Sequence, residues 1–109
     1  MKRVLLDTHV FLWWVTDDPQ LPALARGIIA DKRNQICVSA ASAWEIATKH
    51  RLGKLPQALG VVDEYLHLIN ADGFEHLSVT SRHALLAGSL NHQHRDPFDR
   101  MLAAQSRLD

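Results

Sequence analysis

The sequence predicts an α/β fold, a parallel sheet with helices on both faces. Three observations carry that expectation. Short apolar runs alternate with longer amphipathic stretches, strand then helix, three times along the chain. The first run, Arg3 to Leu6, is apolar enough for a buried strand. At 109 residues, 47% hydrophobic and 22% charged, residues 1–109 make one domain with one core.

Each element has its own local reason. Arg3 to Leu6 reads as the first strand, and Thr8 to Val15 as a helix stopped by Asp17-Asp18-Pro19. Leu21 to Asp31 carries apolar residues at 21, 24, 25, 28 and 29, a helical stripe. Gln35 to Val38 is the second strand. Ser39 and Ser42 open a long helix through Leu52, with Gly53 as its stop. Leu59 to Asn70 is amphipathic, and Glu75 to Val79 is the third strand. Thr80 or Ser81 caps a helix running to about Leu90. Asn91 to Pro97 is a polar loop, and Phe98 onward is a last helix. No internal repeat, low-complexity tract or linker divides the chain.

Composition excludes several classes. Twelve basic residues balance twelve acidic ones, unlike the strongly basic profile of a protein that coats nucleic acid. The balance hides an asymmetry: residues 1–54 hold eight basic and five acidic residues, residues 55–109 four and seven. A single cysteine, Cys37, rules out an intrachain disulfide framework and suits a reducing, cytoplasmic setting. No uncharged run approaches a membrane span. Met1-Lys2-Arg3 precedes an apolar stretch, as in a signal peptide, but Asp7 interrupts it.

In open α/β sheets, ligands bind beyond the carboxyl ends of the strands. Three stretches of the chain bring carboxylates to or near that edge. Asp7 ends the first strand; its simpler reading is a helix N-cap. Glu45 is the only charged residue from Val38 through Thr48, on a helix apolar enough to be largely buried. A lone buried carboxylate costs several kcal/mol unless a cation or basic partner meets it. Its simpler reading is a solvated i,i+4 pair with Lys49, worth tenths of a kcal/mol. Asp96 and Asp99 bracket Pro97-Phe98 at a helix start, where both suit the helix dipole. Several oxygen ligands without cysteine suit Mg²⁺ or Mn²⁺ better than Zn²⁺. His83, His92 and His94 lack the complement of a closed zinc site and read as surface residues. Trp13, Trp14 and Trp44 read as core or interface before base-stacking residues, with Trp13 or Trp14 suited to partner contact.

Four stretches together resemble PIN-domain nucleases. Val4-Leu5-Leu6-Asp7-Thr8-His9 resembles their opening, and Ser39-Ala40-Ala41-Ser42-Ala43-Trp44-Glu45-Ile46 their second acidic motif. Lys49-His50-Arg51-Leu52-Gly53-Lys54-Leu55 is similar to the segment that follows it in VapC-type toxins. The run from His94 to Gln105, with Asp96-Pro97-Phe98-Asp99-Arg100-Met101 inside it, resembles the third motif. The resemblance implies a PIN-like three-layer α/β/α fold with a central parallel sheet. It implies a ribonuclease toxin that hydrolyses RNA phosphodiester bonds with a metal-activated water and is neutralised by a small antitoxin protein. It carries over Asp7, Glu45 and Asp99 as catalytic metal-site carboxylates for Mg²⁺ or Mn²⁺, with Asp96 as second choice for the last. Thr8 matches the hydroxyl beside the first aspartate. Lys49, Arg51, Lys54 and Arg100 are candidates for the RNA backbone, and a homodimer is expected.

One departure stands out. Family members continue into a further strand, a fourth acidic motif and a final strand, whereas here the last residues are Ser106-Arg107-Leu108-Asp109. The expectation is a C-terminally short PIN-like domain, its first strand an open edge. The competing reading is a catalytically impaired remnant that binds an antitoxin or self-associates. A third is a generic α/β domain whose acids are caps.

Overall fold

The computed structural model describes residues 2–55, 60–90 and 96–108. Its elements run β1 (Arg3–Leu5), α1 (Thr8–Val15), α2 (Ala23–Ala30), β2 (Gln35–Ser39), α3 (Ala40–Arg51), α4 (Val61–Ala71), β3 (Glu75–Leu77), α5 (Ser81–Ser89) and α6 (Pro97–Leu108). The strands form one parallel sheet in the order β1-β2-β3. Val4 stands beside Ile36 and Leu5 beside Cys37, while Cys37 aligns with Glu75 and Ser39 with Leu77.

The central position of β2 explains its composition. From Ile36 to Ser39 every residue is buried, as expected of a strand covered on both faces. Ile36 and Val38 join a core with Phe11, Leu12, Ile29, Ile46 and Ile69, and Val4 packs against it. On the other face Leu5, Cys37 and Leu77 line a small cavity together with Gln105 and Ser106 of α6. This is the expected α/β/α layering.

Local chemistry sets the element ends. Asp7 caps α1, its carboxylate accepting from the His9 amide at 2.8 Å. Ser39 caps α3 through the Ala41 amide at 3.0 Å. Gly53, at φ +74°, takes the left-handed turn after α3 that a side chain would resist. Thr80 and His83 form a reciprocal cap on α5.

Several expected boundaries move by a residue or two, and some of the shifts have a clear physical reason. α2 begins at Ala23 and not Leu21, because a residue before proline is pushed out of the helical region and Pro22 is the N-cap. β3 ends at Leu77 and not Val79. The Ser78 carbonyl that follows accepts from Gln105 Nε2 at 3.2 Å. Pro97, at the end of the expected polar loop and suited to a first helical turn behind Asp96, is the first residue of α6. Residues 91–95 of that loop, with His92 and His94, lie outside the described residues. His83 corrects the surface reading of the histidines: it is buried, its ring accepting from the Thr80 amide at 3.0 Å.

Candidate active site and metal centre

The carboxyl edge of the sheet gathers the acids. Asp7 follows β1 directly. Glu45 lies in the second turn of α3, which begins where β2 ends. Asp96 caps α6, its carboxylate accepting from the amides of Phe98 at 2.8 Å and Asp99 at 3.4 Å. Asp99 then falls in the first turn of α6. Its carboxyl is pushed above the usual range by partial desolvation and by the charges of Asp96, Glu45 and Asp7, while Lys49 pulls it down. The four acids therefore share one electrostatic neighbourhood, although they come from three separate stretches of chain.

Glu45 is the unusual member. It is 3% exposed. One carboxylate oxygen, Oε2, accepts from Lys49 Nζ. The other, Oε1, is buried and has no hydrogen-bond partner among the described residues. The i,i+4 pair with Lys49 thus forms, but not on a solvated stripe. Lys49 Nζ also lies 3.7 Å from Asp96 Oδ2 and 5.9 Å from the centre of the Phe98 ring. Hydrogen bonding to Glu45, together with the charges of Asp96 and Asp99, pushes its ammonium pKa up.

These residues suit a hard divalent cation. The donors are all carboxylate oxygens, the set that Mg²⁺ and Mn²⁺ take. An orphaned buried carboxylate oxygen is costly, and a cation would remove that cost. Among the described residues, however, no three Asp, Glu, His or Cys side chains stand close enough to share an ion in this arrangement. Glu45 and Asp96 turn instead toward the Lys49 ammonium.

Thr8, the hydroxyl beside Asp7 that the resemblance implies would orient that carboxylate or a water, has a further partner in the structure. Its hydroxyl is buried and 2.9 Å from the Ser42 hydroxyl, tying the start of α1 to the first turn of α3. It positions the two elements that carry Asp7 and Glu45 and does not contact the Asp7 carboxylate. From the sequence Ser42 was read only as a helix-opening residue, although its spacing places it one turn before Glu45.

The aromatic and basic candidates also separate. Trp13 and Trp14 pack against the core, and Trp14 Nε1 donates to Asp72 at 3.1 Å. Trp44 is 65% exposed, and its ring meets Phe98 edge-on at 4.8 Å. Both rings line an apolar cleft of about 570 Å³, with Val79, Met101 and Arg100 among its walls. Trp44 is thus neither core nor distant from the acids: it immediately precedes Glu45. Arg51 and Lys54 are exposed at the far end of α3, about 9 Å along the axis from Glu45 at Arg51.

The PIN domain family matches residues 4–109. The chain belongs to the PIN domain family. Within this PIN domain, a stretch of 31 residues is 68% identical to Ribonuclease VapC16 of Mycobacterium tuberculosis. That stretch covers 28% of the chain and 22% of the relative's length. No solved structure matches the chain. Among the described residues no helix is long and apolar enough to cross a membrane.

Proposed function

We propose that this PIN domain is a Mg²⁺- or Mn²⁺-dependent ribonuclease of the VapC type, a cytoplasmic toxin that cuts RNA phosphodiester bonds and is neutralised by a small antitoxin protein. The observation that carries the reading is Glu45: a buried carboxylate with one oxygen unpartnered, in the company of Asp7, Asp96 and Asp99. The family membership and the short, close match to a protein named a ribonuclease support it.

Asp7, Glu45 and Asp99 would hold the cation, with Asp96 beside them. When bound, the cation supplies charge neutralisation at the phosphate oxygens and acidifies water. Asp99 is a solvent-accessible member of that set, open to water at the rim of the site. Trp44 offers a face on which an unpaired base stacks, as in other single-strand binders. Lys49, Arg51, Lys54 and Arg100 are the basic residues that would contact the RNA backbone, and two copies of the domain associate. The outer edge of β1, without a strand neighbour among the described residues, favours a second reading, a module that associates by strand addition without cutting RNA.

Incubating the 109-residue chain with single-stranded RNA and Mn²⁺ tests the first reading. Cleavage abolished both by EDTA and by Asp7→Asn supports it. A folded chain that leaves RNA intact, or that cuts it equally well in both controls, overturns it.

A further inference from the structure

We propose that Lys49 is the resident counter-ion of the acidic site, an ammonium that holds the carboxylates together until a divalent cation exchanges for it. The inference rests on the metal-site reading above and adds a residue and a step to it. Lys49 bridges carboxylates from two elements, Glu45 on α3 and Asp96 at the start of α6. Joining acids from separate elements is the task a divalent cation performs in an all-oxygen site. The single ammonium does it incompletely. It leaves Glu45 Oε1 without a partner and offsets one charge among four neighbouring acids.

The pair differs from an ordinary helix-surface ion pair. The Glu45 side chain is 4% exposed, so withdrawing its partner with nothing in exchange would strand a buried charge. The Lys49 side chain is 26% exposed and carries its charge on a flexible four-carbon stem. It therefore has a route to solvent that Glu45 lacks. Once released, the ammonium stays one helical turn from Glu45, within reach of a phosphate bound at the site. In this arrangement the Lys49 ammonium, and no ion-sized space among three acids, lies between Glu45 and Asp96 among the described residues.

Calorimetric titration of Mn²⁺ into the wild-type chain, Lys49→Met and Lys49→Arg tests the exchange. A unit positive charge close to a divalent site opposes its filling. Lys49→Met is therefore expected to bind Mn²⁺ about tenfold more tightly or better. It should melt lower than wild type in EDTA and gain more in Tm on adding Mn²⁺. Lys49→Arg, which keeps the charge, should stay within about threefold of wild type. A purely structural lysine gives the opposite sign, with Lys49→Met binding Mn²⁺ more weakly; that result, or equal affinity, overturns the proposal. If Lys49→Met does not fold, the wild-type chain still decides. The Lys49 Cε–Hε NMR signal must move toward that of a solvated lysine as Mg²⁺ binds. An unmoved signal in a chain that binds Mg²⁺ overturns the exchange alone. No binding of either ion by any of the proteins overturns the metal site with it.

Discussion

Asp7 caps α1 through the His9 amide and also adds to the field around Asp99. One substitution separates those roles. Asparagine caps a helix about as well as aspartate. Asp7→Asn should therefore hold stability within about 0.5 kcal/mol by urea denaturation, while RNA cleavage and Mn²⁺ binding are lost. Asp7→Ala should lose both functions and about 1 kcal/mol of stability as well. Trp44 permits a similar separation. Its ring is mostly in solvent, so its removal touches little of the core. In the Asp7→Asn background, Trp44→Ala should weaken single-stranded RNA binding by about 1–3 kcal/mol, the worth of one stacked base. Fluorescence anisotropy with a labelled oligonucleotide measures this; unchanged affinity would remove Trp44 from the RNA path. At this scale the sequence marked Glu45 as anomalous, since a lone acid in an apolar run is visible without coordinates. It did not show that Trp44 faces outward. Ala41, Ser42, Glu45 and Ile46 form the buried stripe of α3, and hydropathy alone would have placed Trp44 among them.

Helix starts and stops were largely legible, because they are set by side chains acting on their own backbone. Asp7, Thr80, Pro97 and Gly53 all act over three or four residues. What joins one element to another was not legible. The Thr8–Ser42 hydroxyl contact spans 34 residues and links the helices that carry Asp7 and Glu45. Replacing one partner leaves the other buried and unsatisfied. Thr8→Val and Ser42→Ala should each cost about 1–3 kcal/mol. The double variant should cost less than their sum, with a coupling of at least about 0.5 kcal/mol. Urea denaturation of the four proteins gives the coupling directly; simple additivity would mean that the contact does not join α1 to α3. Gln105 shows the same limit at β3, where its hold on the Ser78 carbonyl shortens a strand that hydropathy extends to Val79.

Across the molecule, one side of the sheet packs around Phe11, Ile36, Ile46 and Ile69, and Tyr65 covers part of that core. The Tyr65 ring lies 5.5 Å from that of Phe11. Burial pushes its phenol up to about 12. In the unfolded chain a tyrosine loses its proton near pH 10. Between about pH 10 and 12 the folded state therefore binds the extra proton, and stability falls as pH rises through that window. Urea midpoints from pH 9 to 12 should decline, and Tyr65→Phe should flatten part of the decline. An ultraviolet titration with a normal midpoint for Tyr65 would contradict its burial. The outer edge of β1 is also a whole-molecule property, since it follows from strand order and not from any residue in β1.

The α/β alternation, the caps and the three acidic stretches were determined by the sequence alone. Each depends on periodicity or on chemistry between near neighbours. The packing of Trp44 against Phe98, the burial of His83, the Thr8–Ser42 bond and the turning of Glu45 and Asp96 toward Lys49 were decided only by the tertiary structure. The physical reason is desolvation. The same Glu45–Lys49 spacing gives a weak pair in water and a consequential one where a carboxylate is shut away from solvent. Only the assembled sheet and helices establish which of the two it is.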